Sequence, residues 1–453
     1  MKEYDVIVIG AGEGAGIAFK AAEKGLRTAL IDKGHVGGTC LNVGCVPSKT
    51  LIFPADRITE IREAAKLGIR TRITKIDFDF IMNRMRKTVA TGRNFLKKAI
   101  GETENLVLYN KQAQFADEYV LDVSGEKIRG DKIFIVSGSR PLIPPIKGLE
   151  TIDYLTNESV LKLRELPRSM VIIGGGYVGV EYAHFFAAMG TKVTMVELGN
   201  RLISREEPEI SDLLRKKLEK RIVIHTNSEA VEVKEKRGKY ILVVREKHSR
   251  EKMEIRAQEV MVALGRRSNA DILNVRASGI ETDRKGYINV DAYLRTNKRN
   301  IWACGDALGR QMFTHAADKE VEIAWGNATG DRKTKMDFDV VPHVVFSYPQ
   351  IASVGLTEAA AKKDYSILVG KAGYSDIVTG DTMAEESGFA KAVVEKTTRK
   401  ILGFHIIGPY ASFIIQEVVN AMANKQSVES IAGPLHTFPT LPELIPEVLS
   451  RLK

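Results

Sequence analysis

The sequence predicts an α/β protein, with two doubly wound domains built on one kind of βαβ unit and a C-terminal α+β domain after them. Three observations predict it. DVIVIGAGEGAG begins at Asp5 and MVIIGGGYVGVE at Met170, and each is an apolar β-branched run, a set of glycines and then a helical pattern. In both copies a second apolar run follows and ends on an acid, TALID at Asp32 and KVTMVE at Glu197. Beyond roughly residue 335 the pattern turns to alternating stretches such as VVPHVVFSYPQIASVG and ILGFHIIG, with an amphipathic helix within SFIIQEVVNAMANKQ.

Each part of the repeated unit has a physical reason. Gly10 and Gly174 allow the tight turn out of the strand, and Gly12 and Gly176 remove side chains where the backbone must approach a pyrophosphate. Ala15 and Gly179 keep the helix close to its strand. The helix N-terminus offers unpaired N–H groups and a partial positive charge to the phosphates. An acid about 20 residues further on accepts the ribose hydroxyls, the place held by Asp32 and Glu197. Two dinucleotides are therefore expected. At the second, Glu197 repels a 2′-phosphate, Leu198, Gly199 and Asn200 carry no charge to offset it, and Arg201 stands beyond the strand end. NAD is favoured over NADP on that ground. Three further short strands, in KIFIVSGSRP, EVMVALGRR and NIWACGDA, bring their carboxyl ends to the edge where open α/β sheets hold ligands.

The chain of 453 residues is too long for one core, and boundaries are expected near residues 148, 270 and 335. Hydrophobic residues at 44% and charged residues at 27% are ordinary for a globular enzyme. The opening apolar run is too short and too β-branched for a signal peptide, and no stretch is long and apolar enough to span a membrane. A cytoplasmic location is the default expectation. The net charge of +10 does not point to nucleic acid. Its basic residues alternate with acidic ones, as in VKEKRGKYILVVREKHSREKMEIR, which reads as solvated hairpin faces, and no recognition motif accompanies them.

GGTCLNVGCVPSKT follows the first cradle and sets Cys40 and Cys45 on either side of LNVG, with Asn42 and Gly44 permitting a turn. A turn or helix here can bring the two Cα atoms within the roughly 4.4–6.8 Å that a disulfide needs. So short a closed loop is labile, as a cycling redox pair requires. Two buried thiols are the plainer alternative; a metal site is disfavoured because no second Cys or His pair has ligand spacing. Cys304 reads as a small core residue. Lys49 follows on the same predicted helix, either solvated or a cation near a cofactor, with Glu181 as a possible partner.

GGTCLNVGCVPSK, the two glycine cradles, ACGDA and the last-domain stretches PHVVFSYPQIASVGLTE and ILGFHIIGP resemble the pyridine nucleotide–disulfide oxidoreductases, dihydrolipoamide dehydrogenases above all, along essentially the whole chain. The resemblance implies a homodimer holding FAD and NAD. Residues 1–147 and 270–334 would form the FAD-binding and central domain, 148–269 the NAD-binding domain and 335–453 the dimerisation domain. It implies that Cys45 faces the flavin while Cys40 exchanges with substrate, and that Lys49 and Glu181 pair near the flavin N5. Asp306 matches the acid that binds the FAD ribitol, and Thr39, Gly138 and Gly265 fall at further cofactor contacts.

One segment departs from the family. Where its members carry His-Pro-Thr and then a Glu that orients the His, this chain reads HTFPTLPE, with Phe438 in the histidine's place and Glu443 in the Glu's. Phenylalanine cannot take a proton from a dithiol, and loss of a general base typically costs about 10²–10⁴ in rate. His436, two residues earlier, shares a face with position 438 in extended chain and is one substitute. Glu443 is then its partner or a helix N-terminal acid. Two enzymatic expectations follow: transfer between NAD(H) and a disulfide or dithiol, or reduction by NADH of a quinone or metal ion. A flavin-bearing scaffold without turnover is the non-enzymatic alternative.

Overall fold

In the computed structural model, which describes residues 1–330 and 332–453, the first apolar run is the central strand of a parallel sheet. Lys2–Ile9 pairs with Thr28–Ile31 on one side, Ile7 opposite Ala29, and with Glu126–Ile135 on the other, Ile7 opposite Ile133. Leu106–Tyr109 extends the sheet beyond Thr28–Ile31, and Ile301–Ala303 lies parallel to Ile133–Ile135. The antiparallel strands Ala113–Asp117 and Val120–Val123 complete it. Val6 to Ile9 are all buried, which a strand covered on both faces requires.

The second apolar run, Ser169–Ile173, is likewise inside a parallel sheet, between Lys192–Val196 and Glu259–Val262, with Val223–His225 outermost. The charge-rich stretch forms the antiparallel strands Ser228–Lys236, Lys239–Glu246 and Lys252–Ala257. The last sheet is antiparallel, in the order His343–Val345, Gln350–Gly355, Ile401–Gly408, Phe389–Glu395, Ile367–Gly373. Its core packs Phe404, Ile406 and Tyr374 with Ile415 and Val418 of the amphipathic helix and Leu444 near the C-terminus.

The helices that carry candidate residues are, in chain order, α1 (Gly14–Glu23), α2 (Gly38–Val43), α3 (Cys45–Glu63), α4 (Phe78–Glu102), α5 (Tyr177–Met189), α6 (Pro208–Leu218) and α7 (Thr314–Thr329). Two compact units divide the chain: Met1–Thr50 with Met82–Leu142 and Gly265–Phe338, and Leu51–Ile81 with Ile143–Leu264 and Asp339–Lys453. Among the described residues no helix is long and apolar enough to cross a membrane, and no cluster of His, Cys, Asp and Glu could hold a metal ion.

Candidate active site

The two cradles share one backbone design. Gly10 and Gly174 have φ near +113° and +115°, and a Cβ on either would stand 2.1 Å from the Val136 carbonyl oxygen or 2.4 Å from that of Ala263. The acid closes each turn. Asp32 accepts the Ala11 and Gly34 N–H groups, both at 2.8 Å, while Glu197 accepts those of Gly175 and Gly199, both at 2.6 Å. Each carboxylate is thereby aimed, with lone pairs left for a ribose. Helix and strand meet differently in the two copies. A Cβ on Gly179 would lie 2.1 Å from the Gly174 oxygen, whereas in the first copy the tight residue is Gly14, 2.9 Å from Val8 Cγ1, beside the buried Ala15. Arg201 is ion-paired with Asp212 at 3.2 Å.

The first unit then gathers its remaining candidates at the carboxyl edge of its sheet. Gly138 and Gly265 both have positive φ, and a Cβ on either would meet nothing within 4 Å, so the backbone there borders open space. Asp306 accepts a 2.5 Å hydrogen bond from Ser139 and lies 3.4 Å from Arg266 Nε. These features fit a dinucleotide lying along that edge. Glu13, between Gly12 and Gly14, is pushed up to about 7 by burial and by the charges of Asp318, Asp306 and Cys45.

The cysteine loop is locked onto the first cradle. Gly37 N–H donates to the Ala11 carbonyl at 2.6 Å, and a Cβ on Gly38 would stand 2.7 Å from Gly12 Cα. Asn42 donates to the carbonyls of His35, Val36 and Gly38 and accepts from Arg93 Nε of α4 at 2.9 Å. Thr39 and Cys40 lie on α2, and Cys45 opens α3. The two cysteines are not joined by a disulfide, and Cys40 is half-buried while Cys45 is exposed. Cys45 Sγ lies 3.5 Å from Thr314 Oγ1, at the first residue of α7. The Cys40 thiol is driven well above its ordinary range by its hydrogen bond to Cys45 and by burial. Cys45 stands beside the N-terminus of α7, a position that favours an anion.

Lys49 is half-buried one turn after Cys45. Glu181 is buried on α5 and accepts the Phe346 N–H at 3.1 Å. Cys304 is wholly buried, as expected of a core residue.

Residues 4–320 match the family described as pyridine nucleotide-disulphide oxidoreductase, and residues 341–449 match the dimerisation domain of the same family. The chain belongs to the pyridine nucleotide-disulphide oxidoreductases. It is 33% identical to a mercuric reductase of Lysinibacillus sphaericus, over 97% of this chain and 81% of that one. It is also 33% identical to a dihydrolipoyl dehydrogenase of Chlamydia trachomatis, over 97% and 95%, and 32% identical to a mycothione reductase of Mycobacterium tuberculosis along the whole of both chains. A Cu(II) complex of the HOCl-induced flavoprotein disulfide reductase RclA from Escherichia coli superposes with a TM-score of 0.88, at 28% identity and 99% coverage of both chains.

The C-terminal segment of this family member differs from the arrangement that a thiol base needs. Phe438 is 68% exposed. His436 has both ring nitrogens beside acceptors, Nδ1 at 3.1 Å from the Pro434 carbonyl and Nε2 at 3.1 Å from Glu417. Glu443 accepts the Thr440 N–H at 2.9 Å in a capping box. Of the two roles open to Glu443, the structure places it as the helix N-terminal acid, and the partner of His436 is Glu417.

Thr314 and Glu13 escaped the sequence reading. Thr314 had one signal, its place ahead of the helical pattern that follows GDALGRQMF.

Proposed function

We propose that this chain is an FAD-dependent, NAD(H)-linked oxidoreductase that relays electrons through Cys40 and Cys45. The observation that carries the reading is the sulfur geometry: two cysteines in one short loop, Cys45 beside Thr314, with the loop locked onto the first glycine cradle. Gly10, Gly12, Ala15, Asp32, Thr39, Lys49, Gly138, Gly265 and Asp306 would hold FAD, and Gly174, Gly176, Gly179 and Glu197 would hold NAD. Bound FAD supplies two-electron transfer between nicotinamide and sulfur.

The chain's own residues handle the sulfur chemistry. The Cys40–Cys45 bond breaks on receiving two electrons; Cys40 takes one proton and Cys45 is left as a thiolate, the charge matching the NAD⁺ formed. Lys49 would place a positive charge beside the flavin. The exposed apolar side chains of Phe413, Leu435 and Phe438 suit burial in a homodimer of the last domain.

The acceptor is best read as one that needs no histidine to move its proton, a metal ion or a quinone. Phe438 supports this, as do the engagement of His436 by Glu417 and of Glu443 by its own helix. A disulfide substrate of the lipoamide or mycothione kind is the second reading, favoured by the whole-length likeness to enzymes so named. Steady-state NADH oxidation with lipoamide, glutathione disulfide, a quinone, Hg²⁺ and Cu²⁺ separates them. A kcat/KM for lipoamide above that for every other acceptor would reverse the order of the two readings.

A further inference from the structure

The first cradle carries an acid at the place meant for an anion. Glu13 lies between Gly12 and Gly14 at the N-cap of α1, where backbone N–H groups and the helix dipole suit a pyrophosphate. The matching position of the second cradle is Tyr177, which brings no carboxylate. The Ala15 and Gly16 N–H groups already donate to the Gly12 and Glu13 carbonyls, at 3.0 and 3.1 Å. The Glu13 N–H is therefore among the donors left for a phosphate. An acid at a helix N-terminus ordinarily caps the first turn, but the Glu13 carboxylate makes no such bond. It turns back instead to its own backbone N–H, a donor that the phosphate needs.

The backbone holds this acid among like charges. A Cβ on Gly38 would stand 2.7 Å from Gly12 Cα, which presses the cysteine loop onto the cradle. Thr314 at the head of α7 meets Cys45 at 3.5 Å, and a Cβ on Gly16 of α1 would lie 3.9 Å from Val321 Cγ1 of α7. The cysteine loop, α1 and α7 thus converge where Glu13 sits half-buried. The charges that bear on it most are those of Asp318 on α7, of Asp306 and of Cys45, and its own charge bears on Cys40. Two cations serve the neighbouring acids: His315 acts on Asp318, and Arg266 lies 3.4 Å from Asp306. Burial and the like charges together push the Glu13 carboxyl up to about 7, against the pull of its own N–H.

We infer that Glu13 sets the flavin affinity of the first cradle through its own ionisation. Neutral, it leaves the cradle donors to the pyrophosphate of FAD; charged, it competes for its own N–H and repels the phosphates. The loaded protein then binds more protons than the empty one, so the affinity falls as pH rises through the range where Glu13 ionises. This rests on the first cradle being the FAD site.

Dilution of the flavin-loaded protein, with released FAD read by its fluorescence, gives the dissociation constant at each pH for wild type, Glu13→Gln and Glu13→Ser. Wild type is expected to lose about tenfold in FAD affinity between roughly pH 7 and 8.5, as the linkage of one proton allows. Both variants should stay within about twofold over that range and bind FAD more tightly than wild type at its upper end. A flat wild-type affinity, or a fall that the variants share, overturns the inference. Wild type that holds no FAD at any pH overturns the cradle assignment itself, and the inference with it. Serine is a favoured N-cap residue, so Glu13→Ser decides the matter alone if Glu13→Gln fails to fold.

Discussion

Around Cys40 and Cys45, polar groups either touch the reacting sulfurs or lock the loop that carries them. Thr314 contacts Cys45, and the amide of Asn42 is saturated by three carbonyls and Arg93. Between His436 and Glu443, comparable groups serve the segment itself: the imidazole is held by Pro434 and Glu417, and the carboxylate caps its own helix. On the function proposed above, the first region takes electrons at a chosen sulfur, whereas in the second His436 is engaged by Glu417 and Glu443 by the Thr440 N–H. That reading separates electron delivery from proton handling.

The largest expected effect breaks the first region. Cys45→Ser or Cys40→Ser should lower NADH-dependent reduction of any disulfide by about 10³-fold or more in kcat/KM, as removal of a nucleophile does. Next, Phe438→His should raise lipoamide turnover by about 10²-fold and leave quinone or metal-ion reduction within a factor of about two. Equal activation of all acceptors would show that the missing base is not what limits lipoamide.

The pH profile sharpens the same contrast. With the Cys40 thiol held above its ordinary range and no base beside it, the thiolate that attacks a disulfide grows as pH rises. Disulfide reduction by wild type should therefore climb by about tenfold per pH unit between roughly pH 7 and 9, and Phe438→His should flatten that climb. A flat wild-type profile would contradict the assignment of the proton to Cys40.

Much of this was written in the sequence where chemistry is local. The cradles were legible because their glycines and acids act through neighbouring backbone, and the bonds from each acid to the cradle's Ala11 and Gly175 N–H groups span only about one βαβ unit. The cysteine pair was legible for the same reason. Thr314 was not, standing 269 residues from Cys45, nor was His343, 137 residues from Glu206. Such pairings are made by the fold, and no periodicity announces them. Glu443 shows the converse: its spacing fitted two roles, and only the bond to Thr440 N–H separated them.

The smallest expected effect concerns a buried carboxyl behind Gly305. Glu320 is wholly buried; one of its carboxylate oxygens accepts the Gly305 N–H and the other has no partner. Burial pushes its carboxyl up to about 7. A raised carboxyl costs nothing while it is protonated in both folded and unfolded chains. It destabilises the fold progressively as pH rises from the ordinary carboxylate range through about 7. Glu320→Gln should therefore raise the melting temperature by a few degrees at about pH 8 and change it little at about pH 5. A gain at the lower pH alone would contradict that sign.

The central claim is that the cysteine pair is in electronic contact with the flavin, and an anaerobic NADH titration of the flavin-loaded protein tests it most directly. The account predicts that wild type takes up two equivalents of NADH per flavin, one for the pair and one for the flavin, whereas Cys45→Ser takes up one. Wild type that is fully reduced by a single equivalent, with Cys40 and Cys45 unchanged in their reactivity toward a thiol reagent, would contradict it.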